Sequence, residues 1–253
     1  MTVKKLLELI FPSNIYCISC GSIIDNSRPY SLCDNCMKAF SWANKRTCEK
    51  CGKILQNDYP HDICTGCREC KPCFEKGFTC LQYGLQEREL LLSFKYGGNT
   101  YIGEKIACAM ADRLRGEDFS AGLVIPVPMN KEKKRARGYN QAGIIAKNLA
   151  VLLKLPYTEK LLIREGKTDA MSRLSPEERR INIENAFKVK ENAPEKIAGK
   201  RILLVDDIYT TGSTADACSR ALLSAGAAEV RFISFAAGAN LLKRDEAAAQ
   251  VCG

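Results

Sequence analysis

Beyond residue 80 the apolar positions of this chain recur with regular periods, and before it they do not. Glu87 to Tyr96 (ERELLLSFKY), Ile102 to Leu114 and Tyr139 to Leu153 have the periodicity of amphipathic helices. Leu123 to Val127 (LVIPV), ended by Pro128, and Arg201 to Val205 (RILLV) are short apolar runs of the kind buried in a sheet. Lys160 to Arg164, Ala186 to Lys190 and Val230 to Phe235 are further expected strands, and Ser213 to Ala225 a further helix. Strands alternating with helices predict an α/β fold. Its sheet should be mostly parallel, flanked by helices and joined by right-handed crossovers, with ligands at the carboxyl ends of the strands. Residues 1–80 carry turns and cysteines instead of periodicity. They are expected to form a small module that needs metal to fold, with residues 81–253 as the α/β domain.

A chain of 253 residues that is 46% hydrophobic and 26% charged has material for one such domain and a module. Its opening, MTVKKLLELIF, is short, contains Glu8 and lacks a small-residue cleavage site before Cys17. No stretch reaches the length of a bilayer span, so a cytoplasmic protein is expected.

In a reducing compartment, the 11 cysteines between Cys17 and Cys80 mean metal rather than disulfides. Cys17, Cys20, Cys33 and Cys36 make one set of two Cys-x-x-Cys pairs, and Cys48, Cys51, Cys64 and Cys67 make a second. This is zinc-ribbon spacing, in which each pair grips one side of a tetrahedral ion, and Gly52 after Cys51 suits the knuckle turn. Two zinc ions are expected, which would lower the formal charge of +9 to about +5. Cys70 and Cys73 are surplus and could replace Cys64 and Cys67. The run Cys64 to Cys73 also partly resembles an iron–sulfur spacing, though one gap is short and the usual proline is missing. His61, the one histidine, reads as a solvent-facing loop residue, and Cys80, Cys108, Cys218 and Cys252 as small apolar residues.

The most specific signal is RILLVDDIYTTGSTADAC, residues 201–218. An apolar strand delivers Asp206 and Asp207 at its carboxyl end, and the loop Thr210-Thr211-Gly212-Ser213-Thr214 then opens a helix. Backbone N–H groups of such a loop surround a phosphate dianion, the hydroxyls add donors, and glycine permits close approach. Two carboxylates beside a bare phosphate would repel it. They suit a phosphorylated sugar, whose vicinal hydroxyls they accept. Neither the Walker spacing nor Gly-x-Gly-x-x-Gly is present.

This stretch resembles the signature by which type I phosphoribosyltransferases bind 5-phosphoribosyl-1-pyrophosphate (PRPP). The strand ending Ile125-Pro126-Val127-Pro128 resembles the segment that supplies the pyrophosphate loop in phosphoribosyltransferases related to the glutamine-dependent amidotransferase. Thr168 to Phe187 (TDAMSRLSPEERRINIENAF) resembles the flap that folds over PRPP. Together with Arg137-Gly138-Tyr139-Asn140-Gln141, Arg179-x-x-Asn182 and the cysteine module, these motifs are similar to the ComF family, the ComFC-type proteins associated with natural competence. Met171 stands where many members carry Gln. The resemblance covers nearly the whole chain and implies a type I phosphoribosyltransferase fold behind a zinc-ribbon-like module, with Cys64 and Cys67 completing the second site. It places the 5-phosphate in Thr210, Thr211, Gly212, Ser213 and Thr214, the ribose hydroxyls on the catalytic pair Asp206 and Asp207, and the pyrophosphate near Val127, Pro128 and Met129. Mg²⁺ would be held largely by PRPP and water, and Arg179 and Asn182 would lie in the flap.

Lys131, Lys133, Lys134, Arg135 and Arg137 form a basic run just after the expected pyrophosphate loop. Such a run is a solvated face, an attractor for pyrophosphate or a contact for nucleic-acid phosphates. Two functions follow from the resemblance. In one the protein is a phosphoribosyltransferase, a pentosyl-transfer enzyme acting on an unidentified acceptor during DNA uptake. In the other it is a non-catalytic PRPP sensor or scaffold, whose zinc module and basic face engage single-stranded DNA and competence proteins. Self-association into a homodimer is compatible with both.

Overall fold

A computed structural model describes residues 15–165, 186–190 and 194–240. Its centre is a four-stranded parallel sheet built from β1 (Gly77–Gln82), β2 (Leu123–Pro126), β5 (Arg201–Tyr209) and β6 (Glu229–Ala237), ordered β1-β6-β5-β2. Leu204 of β5 pairs with Phe232 of β6 and with Ile125 of β2. β3 (Leu162–Arg164) and β4 (Phe187–Val189), both expected as strands, pair antiparallel in a small separate sheet. Nothing in the cysteine-rich composition announced β1, whose first residues lie on the module side of the 80/81 boundary expected from sequence.

The central strands are apolar on both faces because both faces are covered. On one face Val124, Leu203, Val205, Ile233 and Phe235 pack with α3 (Leu85–Tyr96), α4 (Ile102–Leu114) and α6 (Gln141–Leu153), together with Cys17, Ile18, Leu32 and Phe40 of the first cysteine set. On the other face Ile125, Ile202, Leu204, Val230 and Phe232 pack with α8 (Ser213–Ser224), with Leu162 and Phe187 of the small sheet, and with Cys48, Cys51, Cys67 and Phe74 of the second set. The two ribbons also cover the free edge of β1. Ala43 N–H donates to Cys80 O at 2.8 Å, Gln82 N–H to Ser41 O at 2.8 Å, and Gly77 N–H to Lys50 O at 2.7 Å, so backbone groups that would invite another strand are satisfied. Two short helices lie in the ribbons, α1 (Asp34–Ala39) and α2 (Thr65–Cys70). The basic run is itself a helix, α5 (Lys131–Arg137), started by Asn130, whose Oδ1 accepts from Glu132 N–H at 2.9 Å and Lys133 N–H at 3.3 Å. α7 (Pro194–Ile197) is a single turn leading into β5.

Candidate phosphate site and cysteine clusters

The order of residues in β5 fixes where its acids go. Ile202 to Val205 are buried in the sheet, and the strand runs four residues further than its apolar run, so Asp206 and Asp207 lie inside its carboxyl-terminal part, still within the stretch paired with β6. Asp207 N–H donates to Asp206 Oδ1 at 2.9 Å, and Lys95 Nζ lies 2.8 Å from Asp207 Oδ2. That ion pair is 20% and 14% exposed, shielded enough to be more than a surface contact. Burial, and then the Asp207 charge beside it, push the Asp206 carboxyl well above the usual carboxylate range.

The loop after β5 enters α8 through Gly212, whose φ of +90° is left-handed backbone. A Cβ there would come within 2.3 Å of Tyr209 Oη, so conformation and space both demand glycine. Thr211 Oγ1 and Ser213 Oγ lie 3.0 Å apart, and no side chain caps the helix start. Gly212 itself offers no capping side chain, and the side-chain contact to the first turn is a long one, Ser213 N–H to Thr211 Oγ1 at 3.5 Å, so donors remain at this terminus for an anion.

β2 brings Val127 to the same end of the sheet: Pro126 pairs with Val205, and Val127 N–H donates to Val205 O at 2.9 Å. Asn140 Nδ2 donates to Val127 O at 3.0 Å, which gives the Arg137-to-Gln141 motif a physical role in shaping this loop. Arg137 donates to Gln141 Oε1 at 2.9 Å and lies over the Tyr96 ring, while the buried Gln141 Nε2 has no partner among the described residues. The other basic residues of α5 are exposed, beginning two positions past Met129. Arg179 and Asn182, the expected flap residues, lie outside the described residues.

Both cysteine sets close as the spacing predicts. The sulfurs of Cys17, Cys20, Cys33 and Cys36 lie within 4.8 Å of one another, as do those of Cys48, Cys51, Cys64 and Cys67. Cys20–Cys33 and Cys51–Cys64 are each 3.7 Å apart, close to the ~3.8 Å edge of a tetrahedron with ~2.3 Å zinc–sulfur bonds. Each knuckle has the same build. Gly21 (φ +74°) donates to Cys17 O and Gly52 (φ +76°) to Cys48 O, and backbone N–H groups point at Cys17 and Cys48 sulfurs. A hydrogen bond with Ser22 lowers the Cys20 thiol to about 6 while burial raises Cys36 to about 12, and contact between Cys48 and Cys51 lowers the first and raises the second. Two four-cysteine zinc sites fit this donor set. Cys70 is exposed, and neither it nor Cys73 joins either cluster.

Lys95, Lys53 and Tyr209 were not singled out by sequence reasoning. Lys53 Nζ donates to Thr210 O at 2.7 Å, and the buried Tyr209 has its Oη 4.0 Å from Cys67 Sγ. Lys95 looks like any lysine closing a helix, and Lys53 sits among knuckle residues, so neither carries a local signal.

Comparison with known proteins agrees with both parts of the chain. Residues 135–253 match the phosphoribosyl transferase domain and residues 6–71 the double zinc ribbon domain. Competence protein F of Haemophilus influenzae is 31% identical over 147 residues, covering 56% of this chain and 64% of that protein. DNA utilization protein YhgH of Escherichia coli strain K12 is 25% identical over 165 residues, covering 63% and 71%. Competence protein ComFC of Bacillus subtilis is 35% identical over 106 residues, covering 42% and 40%. The chain therefore spans less than two thirds of the first and last of these relatives. Among solved structures, the B. subtilis glutamine PRPP amidotransferase is a distant likeness, 21% identical with a TM-score of 0.35 over 53% of this chain and 25% of that one.

Proposed function

Because this chain belongs to the ComF family, with a phosphoribosyltransferase fold behind a double zinc ribbon, we propose that it binds PRPP with Mg²⁺ at the end of β5 and transfers the phosphoribosyl group to an acceptor during the handling of incoming DNA. One observation carries this reading: the carboxyl-terminal part of β5 carries Asp206 and Asp207, and two strand residues later a glycine-turned loop opens α8 with no capping side chain on Gly212. In this assignment the 5-phosphate sits in Thr210 to Thr214, the ribose hydroxyls reach the acid pair, and the pyrophosphate lies against Val127 to Met129. Mg²⁺, held by the ligand and water beside Val127 to Met129, would supply charge neutralisation for the departing pyrophosphate. The C1–O bond breaks with its electron pair going to pyrophosphate, while an acceptor lone pair closes on C1 and the acceptor's proton passes to solvent. The chain contributes position and electrostatics: carboxyl groups next to a ring that gains positive charge, and N–H donors that hold the phosphate.

The test is pyrophosphate release from PRPP by the purified protein, with and without nucleobases or single-stranded DNA. Stimulated release is expected. Tight binding of PRPP with no release under any condition would replace the transferase by the sensor or scaffold reading.

A second observation supports nucleic-acid contact. Lys134, Lys147 and Lys160 line one groove of about 620 Å³ together with Tyr139, Tyr157 and Glu159, the last paired with Lys134 at 3.6 Å, which leaves a net excess of phosphate-seeking cations beside two aromatic side chains. Lys133→Glu/Arg135→Glu, exposed on α5 on either side of Lys134 in sequence, should lower the salt slope of single-stranded DNA binding by about 2. An unchanged slope and affinity would make α5 an ordinary solvated face.

A further inference from the structure

The second ribbon reaches the phosphate loop at several points far apart in sequence. Lys53, two residues past Cys51, donates from Nζ to the Thr210 carbonyl at 2.7 Å, and its ammonium lies 5.4 Å from the Tyr209 ring centre. Tyr209 is packed against Phe74 and Phe232, with its hydroxyl at Cys67, and it fills the space that a side chain at residue 212 would need. Beyond the loop, Cys73 N–H donates to Asp216 Oδ1 in the first turn of α8 at 2.6 Å. The loop is therefore braced from the ribbon before and beneath Gly212, and the segment that leaves the ribbon holds the first turn of α8 after it. The first ribbon makes no such contact among the described residues.

A trans peptide carries its C=O and N–H on opposite sides of one plane. Holding Thr210 O toward the ribbon turns the Thr211 N–H away from it, to the side on which Thr211 is exposed. The lysine charge also polarises that peptide and strengthens its N–H as a donor. A neutral residue at position 53 could pack over Tyr209, but it could not hold the carbonyl by a charged donor.

We infer that the second zinc ribbon is part of the phosphate site, and that Lys53 is a positioning residue that aims the loop's backbone donors at the 5-phosphate of a phosphorylated sugar. The inference rests on the PRPP reading above but adds what that reading lacks, a reason for the ribbon and the transferase fold to share one core.

Calorimetric titrations with ribose 5-phosphate and, separately, with Mg²⁺–pyrophosphate distinguish the two ends of the site. Four proteins are compared: the parent, Lys53→Met, Lys53→Arg and Lys50→Met. Lys50 is the matched control, since it belongs to the same ribbon, carries the same charge and lies over the Phe74 ring, but donates to Glu75 O at 3.0 Å instead of to a loop carbonyl. Lys53→Met should weaken ribose 5-phosphate about tenfold to a hundredfold while pyrophosphate changes less than about twofold. Zinc content should stay at two per chain, Lys53→Arg should regain most of the affinity, and Lys50→Met should match the parent. If Lys53→Met does not fold, Lys53→Gln, a donor without charge, takes its place with the same expectation. Unchanged ribose 5-phosphate binding, an equal loss in Lys50→Met, or an equal loss for both ligands would each overturn the role of Lys53 and leave the PRPP reading standing. A parent that binds neither ligand would overturn the PRPP reading, and this inference with it.

Discussion

The two ribbons share one spacing and one knuckle, yet they do different work. In the first, Cys20 is exposed, Cys33 and Cys36 are half-buried, and Gly21 has open space around it. In the second, all four cysteines are buried, and a Cβ on Gly52 would meet Thr79 N at 2.7 Å and Phe78 Cα at 2.9 Å. The first ribbon lies on the helical face of the sheet, where Tyr30 donates to Asp112 of α4 at 2.9 Å. The second lies on the face of α8 and touches the phosphate loop through Lys53 and Tyr209. The lesson is that spacing specifies a metal site, while the face of the sheet against which it packs decides whether that site stays near the surface or is drawn into the core beside the Thr210 to Thr214 loop.

The largest effect should come from removing a metal ligand on each side. Cys51→Ser deletes a buried ligand whose zinc energy is folding energy, on the order of 10 kcal/mol for a structural site, so the soluble folded protein should be lost. Cys20→Ser, at the exposed edge of the first cluster, should leave a folded chain with one zinc and near-parental ligand binding. Elemental analysis and circular dichroism on both variants check this, and equal damage from both would erase the distinction between the ribbons.

A smaller effect isolates packing from metal chemistry. Both knuckle glycines have φ near +75°, so alanine brings similar backbone strain to each, about 1 kcal/mol. At Gly52 the new methyl also strikes the backbone of β1, which should raise the loss to about 3 kcal/mol. Denaturant midpoints of Gly21→Ala and Gly52→Ala measure the difference, and indistinguishable midpoints would show that β1 gives way at no cost.

How far this was legible in the sequence depends on whether the signal was local. The run from Arg201 to Ser224 states strand, acids, loop and helix in order, and the structure keeps that order but carries the strand past the acids to Tyr209, because pairing with β6 continues beyond the apolar run. The cysteine pairs announced both clusters because a ligand pair grips metal through its own turn. β1 was hidden because GFTCLQ sits among knuckles and zinc ligands, and its neighbour β6 lies more than 140 residues away. The partition of the ribbons between two faces, the Lys95–Asp207 pair and the reach of Lys53 to Thr210 are products of topology, which no window of the chain contains.

The smallest effect lies where the two faces meet, at the acid pair. With its folded value raised, Asp206 keeps a proton that the unfolded chain has released above about pH 4. Its contribution to stability is therefore fully present below that pH and is lost as pH rises through the folded value. Asp206→Asn should flatten this decline in thermal midpoints, compared over the range in which zinc content is constant. A slope equal to the parent's would mean that Asp206 titrates as an ordinary aspartate.

The central claim is that the end of β5 holds a phosphorylated sugar through Asp206 and Asp207. Calorimetric titration with PRPP and Mg²⁺ of the parent and of Asp206→Asn/Asp207→Asn tests it most directly, because the change preserves shape and removes charge. A charge-assisted hydrogen bond at Asp207 contributes roughly 1.5–3 kcal/mol and a neutral one at Asp206 roughly 0.5–1.5 kcal/mol, so the double variant should bind about one to three orders of magnitude more weakly while keeping its fold and both zinc ions. A parent that shows no heat of binding, or a double variant that binds as tightly as the parent, would reduce the loop to a strand–turn–helix and contradict the account.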